Sequence, residues 1–73
     1  IGIYPNPTSG ILNVTFQEKG NYRVEVMNTL GEVVSTTRMN GTSTIDLSSF
    51  AKGVYSVRVS NSTNAMVQRV VLR

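Results

Sequence analysis

Two stretches of the chain read almost alike: Gly20-Asn21-Tyr22-Arg23-Val24-Glu25-Val26-Met27-Asn28 and Gly53-Val54-Tyr55-Ser56-Val57-Arg58-Val59-Ser60-Asn61. Both follow Gly-x-Tyr-x-Val-x-Val-x-Asn. Apolar residues recur at every second position, the period of a strand with one covered face. Tyr22, Val24 and Val26 therefore share one side, with Arg23 and Glu25 on the other. Tyr55, Val57 and Val59 repeat the arrangement. β-Branched and aromatic side chains suit such a pleated, half-covered surface. Each copy leads through a short turn into another apolar strand, Leu30-Gly31 into Val33-Val34 and Thr63-Asn64 into Met66-Val67. Asn64 stands in the place of Gly31, and Asn is the non-glycine residue most at ease in a left-handed turn. Two copies are too few for a solenoid. They read as two similar hairpins, one in each sheet of a sandwich.

Working outward, turn residues recur about every ten positions, the spacing of an all-β sandwich or barrel. Seven strands are expected, over residues 1–4, 11–16, 22–27, 32–39, 44–47, 54–60 and 65–72. Pro5-Asn6-Pro7-Thr8-Ser9-Gly10 stops the first, because proline fixes its own φ and Gly10 is free to take a positive one. Asn28-Thr29-Leu30-Gly31 has the Asn-first, Gly-fourth preference of a type I turn. Asn40-Gly41 is a further turn signal. Residues 48–52 read as one helical turn, capped by the Asp46 carboxylate or the Ser48 hydroxyl and ended by Gly53. Positive φ is expected at Gly31 and Gly53. The expected fold is a seven-stranded antiparallel, immunoglobulin-like β-sandwich. Its core should include Leu12, Val14, Tyr22, Val24, Val26, Tyr55, Val57 and Val59.

Composition narrows the function. With 73 residues there is room for one small domain, burying roughly 60% of its unfolded surface. There is no Cys, His or Trp, and only four carboxylates, Glu18, Glu25, Glu32 and Asp46. That removes disulfides, thiol nucleophiles, zinc sites built on Cys, and any Ser-His or Cys-His dyad. An enzyme is not expected, nor is a cofactor or a metal. The net charge is +3, but the seven basic residues are scattered along the sequence. Nucleic-acid binders cluster such residues along one face with exposed aromatics, so no nucleic-acid partner is expected. No stretch approaches the ~20 apolar residues of a membrane span. The chain is read as a monomeric domain taken from a longer protein.

The remaining chemistry-bearing residues have simpler readings. Asp46 is the sole Asp, so no calcium loop can be built around it, and capping the Ser48–Ser49 backbone is its first role. Tyr22 and Tyr55 fall on the valine faces, which favours core packing with a bonded hydroxyl over a sugar-stacking platform. Strand seven is apolar on both parities, Met66, Val70 and Leu72 against Val67 and Val71. Either both faces are covered within the domain, or one meets the core and the other a partner.

Four motifs in series take the reading further. They are Tyr4-Pro5-Asn6-Pro7-Thr8-x-Gly10, Asn28-x-x-Gly31-x-x-Val34, Ile45-Asp46-Leu47-Ser48-x-x-x-x-Gly53-Val54-Tyr55 and Arg69-Val70-Val71-Leu72-Arg73. In this order and spacing the chain resembles the C-terminal sorting domain of type IX (Por) secretion cargo in the Bacteroidetes. Phe50 stands where that family more often has Leu. The resemblance implies a secretion signal rather than an activity. The implied partners are the type IX translocon, its sortase-like cysteine peptidase, and a cargo domain in cis at the N-terminal side. It also implies transit through the periplasm, then a place at the cell surface or in the medium. By resemblance, recognition would involve Asp46, Gly53, Tyr55, Arg69, Val70, Val71, Leu72 and Arg73. Pro5, Asn6, Pro7, Gly10, Asn28 and Gly31 would shape turns. The other architecture of this kind is a small fibronectin-like or carbohydrate-binding adhesion module.

Overall fold

The alternating valines can be covered only if two sheets face each other, and the chain does this with seven strands and no helix. The computed structural model describes residues 1–73. Its strands are β1 (Gly2–Tyr4), β2 (Ile11–Thr15), β3 (Tyr22–Met27), β4 (Val33–Met39), β5 (Ser43–Asp46), β6 (Gly53–Ser60) and β7 (Ala65–Leu72). A small sheet has the order β1-β2-β5, and a large one the order β4-β3-β6-β7. All strand pairs are antiparallel. The all-β sandwich expected from the periodicity is therefore what forms, and it is consistent with an immunoglobulin-like fold.

The core lies between the sheets. Seven of the eight expected core residues are buried, and Tyr22 is half-buried, stacked on Phe16 with ring centroids 4.0 Å apart. Ile3, Met39, Ile45, Leu47, Val70 and Leu72 join them. Four strands over three leave β4 overhanging, so Thr37 is exposed although it shares the core-facing parity of Met39.

The two similar hairpins are both in the large sheet, not one in each. Strands β3 and β6 are neighbours, pairing Val24 with Val59, Glu25 with Arg58 and Val26 with Val57. Glu25 and Arg58 hold the same place in the two copies, so a local two-fold axis passes between them. The shared residues have shared jobs. The Tyr22 hydroxyl donates to the Glu18 carbonyl, and the Tyr55 hydroxyl to that of Ala51, each four residues upstream. Asn28 Oδ1 accepts from the Leu30 and Glu32 amides at 2.9 and 3.0 Å. Asn61 Oδ1 accepts from those of Thr63 and Asn64 at 3.0 and 2.7 Å. At Asn61 the Asx turn closes its hairpin without a left-handed residue, and Asn64 has no positive φ.

Gly31 and Gly53 do have one, at 83° and 152°, with open space where a Cβ would stand. Their constraint is conformational. Gly10, expected to share it, does not. A Cβ there would lie 3.3 Å from that of Ser48, because the Leu47 amide bonds the Gly10 carbonyl at 2.7 Å. Close approach is its reason. Asn40-Gly41 also departs from expectation: it carries the chain from the large sheet to the small one, without positive φ at Gly41. The expected helical turn at 48–52 is a β-turn, closed by the Phe50 amide on the Leu47 carbonyl at 3.0 Å. Its residues must drop from β5 to β6 in the other sheet, and the Tyr55 hydroxyl ties Ala51 down before a helix could propagate.

Candidate functional site

Strand β7 is the edge of the large sheet, with β6 as its sole ladder neighbour. Its other side faces the segment after β1. Pro5 and Pro7 have no N–H to donate, so Asn6 offers its side chain in place of backbone. Asn6 Nδ2 donates to the Arg69 carbonyl at 2.9 Å, and the Val71 amide donates to Asn6 Oδ1 at 3.0 Å. Two residues on, Thr8 makes a parallel bridge to Leu72. Its amide donates to the Val71 carbonyl at 2.9 Å and its carbonyl accepts from Arg73 at 3.0 Å. Farther up the strand, Gln68 Nε2 reaches the Ile3 carbonyl at 3.1 Å.

This arrangement latches the C-terminal strand. Thr8 is 2% exposed, the one buried polar residue. Its hydroxyl is satisfied on both sides, donating to the Ile11 carbonyl at 2.8 Å and accepting from the Gly10 amide at 3.1 Å. Sequence reading takes Pro5, Asn6, Pro7 and Gly10 for a turn and misses the latch. An Asn between two prolines is its one visible sign: backbone pairing is blocked there, and an amide side chain replaces it.

The residues singled out by resemblance fall into different environments. Val70, Leu72 and Tyr55 are core residues. A partner cannot touch them without opening the sandwich, so they hold β7 in place. Gly53 opposes Leu72 at the start of β6. Arg69 and Arg73 are exposed and Val71 is half-buried on the outer face. Val67, beside them, is 59% exposed, so the second apolar parity of β7 is not covered within the domain. The edge from Arg69 to Arg73 is already bonded to Asn6 and Thr8. Addition of a partner strand there would first have to displace the latch.

Asp46 sits apart, at the end of β5. Its Oδ1 accepts the Ser48 amide at 2.9 Å. The Ser48 hydroxyl, and then this amide, hold its carboxyl below the ordinary carboxylate range. A lowered value means that the charged form is favoured in the folded chain. The resulting stability is present above the usual carboxylate pKa and fades as pH falls through the lowered one. Asp46→Asn keeps an acceptor for the Ser48 amide and Asp46→Ala does not. Asn is therefore expected to melt near wild type with a flatter acid limb, and Ala to melt lower, in thermal scans at several pH values. Failure of both to be exported, with normal melting, would assign the carboxylate to recognition instead.

The fold also changes the reading of charge. Arg23, Arg38, Arg58 and Arg69 are far apart in sequence, yet all four project from the outer face of the large sheet, as their register opposite buried neighbours dictates.

The sequence model of the secretion system C-terminal sorting domain family matches residues 2–73, and the chain belongs to that family. Its function is that of a C-terminal signal for export by the type IX secretion system, and the family is one of sorting signals rather than of catalysts. The domain is attached to a cargo and directs it to the cell surface or the medium. No curated protein matches the chain. No helix is long and apolar enough to cross a membrane. The adhesion-module alternative gains no support. Tyr55 is buried and Tyr22 is stacked on Phe16, which leaves Tyr4 as a lone exposed ring.

Proposed function

We propose that the domain is the detachable address of a larger protein. It travels with its cargo through the periplasm, is read by the outer-membrane translocon at β7 and its surroundings, and is then cut off by the sortase-like cysteine peptidase. The latch is the observation that carries this reading. Bonds from Asn6 and Thr8 complete β7 within the domain, so its surface has one shape whatever cargo precedes Ile1. An address shared by unrelated cargoes needs that independence.

The test is a fusion of residues 1–73 behind a passive periplasmic reporter, in a host with this secretion system. The reporter is expected at the surface or in the medium. Without residues 69–73 it is expected to stay in the periplasm, and melting of the truncated domain shows whether fold or contact was lost. Export of the truncated fusion at the wild-type level would overturn the assignment to β7.

A further inference from the structure

The outer face of the large sheet carries a diagonal of four arginines, one from each strand. Arg38 of β4 lies directly opposite Arg23 of β3. Arg23 faces Ser60, so Arg58, two residues before Ser60 on β6, is its diagonal neighbour. Arg58 faces Val67, and Arg69 of β7 lies two residues beyond. Glu25 is the only carboxylate among them. It approaches Arg23 at 4.0 Å and Arg58 at 3.9 Å, with those arginine side chains still 55% and 49% exposed. Arg38 and Arg69 have no carboxylate partner.

The face thus holds the whole net charge of the chain, +3. The other cations, Lys19, Lys52 and Arg73, are balanced by Glu18, Glu32 and Asp46. The outer face of the small sheet, by contrast, has Asp46 as its sole charge. Solubility does not call for this arrangement. Like charges directly opposed across a ladder destabilise a sheet, and Arg23 against Arg38 is such a pair.

Spacing indicates what fits. Diagonal neighbours on a sheet lie about 7–8 Å apart, and alternate residues of an extended strand lie about 6.8 Å apart. A segment in strand conformation with acidic residues at every second position would place one carboxylate on each of Arg23, Arg58 and Arg69. Arg38, directly opposite Arg23 at about 5 Å, would share the first of them. At the lower end Val67, 59% exposed, and Val54, 38% exposed, flank Arg69 and supply apolar contact. At the upper end the row opens into a cleft of about 600 Å³ lined by Lys19, Arg23 and Arg38, with Glu18 as its one carboxylate. A fixed row one arginine wide, with apolar flanks, matches a protein segment. An anionic membrane surface would need charge density without register.

We propose that this diagonal is the docking face for an extended acidic segment of the export machinery, with carboxylates at alternate positions. The proposal rests on the export reading above and names the surface that carries it. Two arms test it. In the first, the reporter fusion carries Arg23→Gln, Arg38→Gln, Arg58→Gln and Arg69→Gln together, alongside a set with Lys at the same positions. The Gln set is expected to lose at least tenfold in export while melting within a few degrees of wild type, and the Lys set to recover much of the loss. A Gln set that melts far below wild type is replaced by the pairs Arg23→Gln with Arg38→Gln and Arg58→Gln with Arg69→Gln.

In the second arm, the 73-residue chain is titrated by NMR with an eight-residue peptide of alternating glutamate and threonine. Phosphatidylglycerol vesicles are titrated in parallel. Shifts along the diagonal that weaken with added salt and vanish in the Gln set support the proposal. Wild-type export by a folded Gln set overturns it and leaves the sorting function standing. So does binding to the vesicles with none to the peptide. If the unmutated fusion fails to leave the periplasm, the export reading falls, and the peptide arm decides the diagonal by itself.

Discussion

A Val24→Asp domain is expected to be unfolded at room temperature. Val24 is 1% exposed, at the centre of the large sheet between Thr37 and Val59. A carboxylate there has no cation within the core to pair with, and burying it costs several kcal/mol even if it takes up a proton. A domain of this length holds about 4–11 kcal/mol in total at the usual stability per residue. The substitution removes most or all of that. Circular dichroism should show loss of the β signal and of the cooperative urea transition. Arg23→Asp, one residue away, is the control: the side chain projects outward, and exposed changes of this kind stay within about 0.5 kcal/mol. Equal damage from both would mean that the period-two reading of β3 is wrong.

The second large effect is expected from Leu72→Ala. Leu72 is 3% exposed, opposes Gly53 and is bridged by Thr8. Removing a buried leucine side chain costs about 2–5 kcal/mol, depending on how far the site can collapse. Collapse is limited here, because Thr8 and Gly53 fix the backbone on both sides. Urea denaturation should show a midpoint well below wild type with little change in slope. Export of a fusion carrying Leu72→Ala should fall in step with the folded fraction. The Arg→Gln set is expected to lose export while keeping the fold, so the two kinds of variant separate a support role in β7 from a contact role on the outer face of the large sheet.

Much of this was legible in the sequence because it depends on local alternation. The bounds of β3 and β7 follow from the parity of Tyr22 to Met27 and of Ala65 to Leu72 without adjustment. Gly31 was legible too, since Asn first and Gly fourth in Asn28-Thr29-Leu30-Gly31 mark a turn whose last position glycine fills with a positive φ. The partition into sheets was not. The repeated Gly-x-Tyr-x-Val-x-Val-x-Asn stretches look the same whether they lie in one sheet or in two, because parity records which face is covered and not by which neighbour. The arginine diagonal is hidden for the same reason. Positions 23, 38, 58 and 69 have no meaningful spacing until the ladders set their register. Thr8 left no trace either: a threonine after Pro7 reads as an exposed turn hydroxyl, and its burial depends on a strand more than sixty residues downstream.

That separation has a consequence for the order of synthesis. The bonds from Asn6 to the Arg69 carbonyl and from Val71 to Asn6 span 63 and 65 residues, and Gln68 reaches Ile3 across another 65. None can form until the ribosome has made the last strand. Before that Thr8 has no partner, and Val70 and Leu72 are missing from the core that Ile3 and Leu12 share. A message broken early, or a ribosome that stalls, yields a cargo without a closed domain behind it. The domain therefore closes only once its first and seventh strands are both made, and a chain broken before β7 carries no closed address.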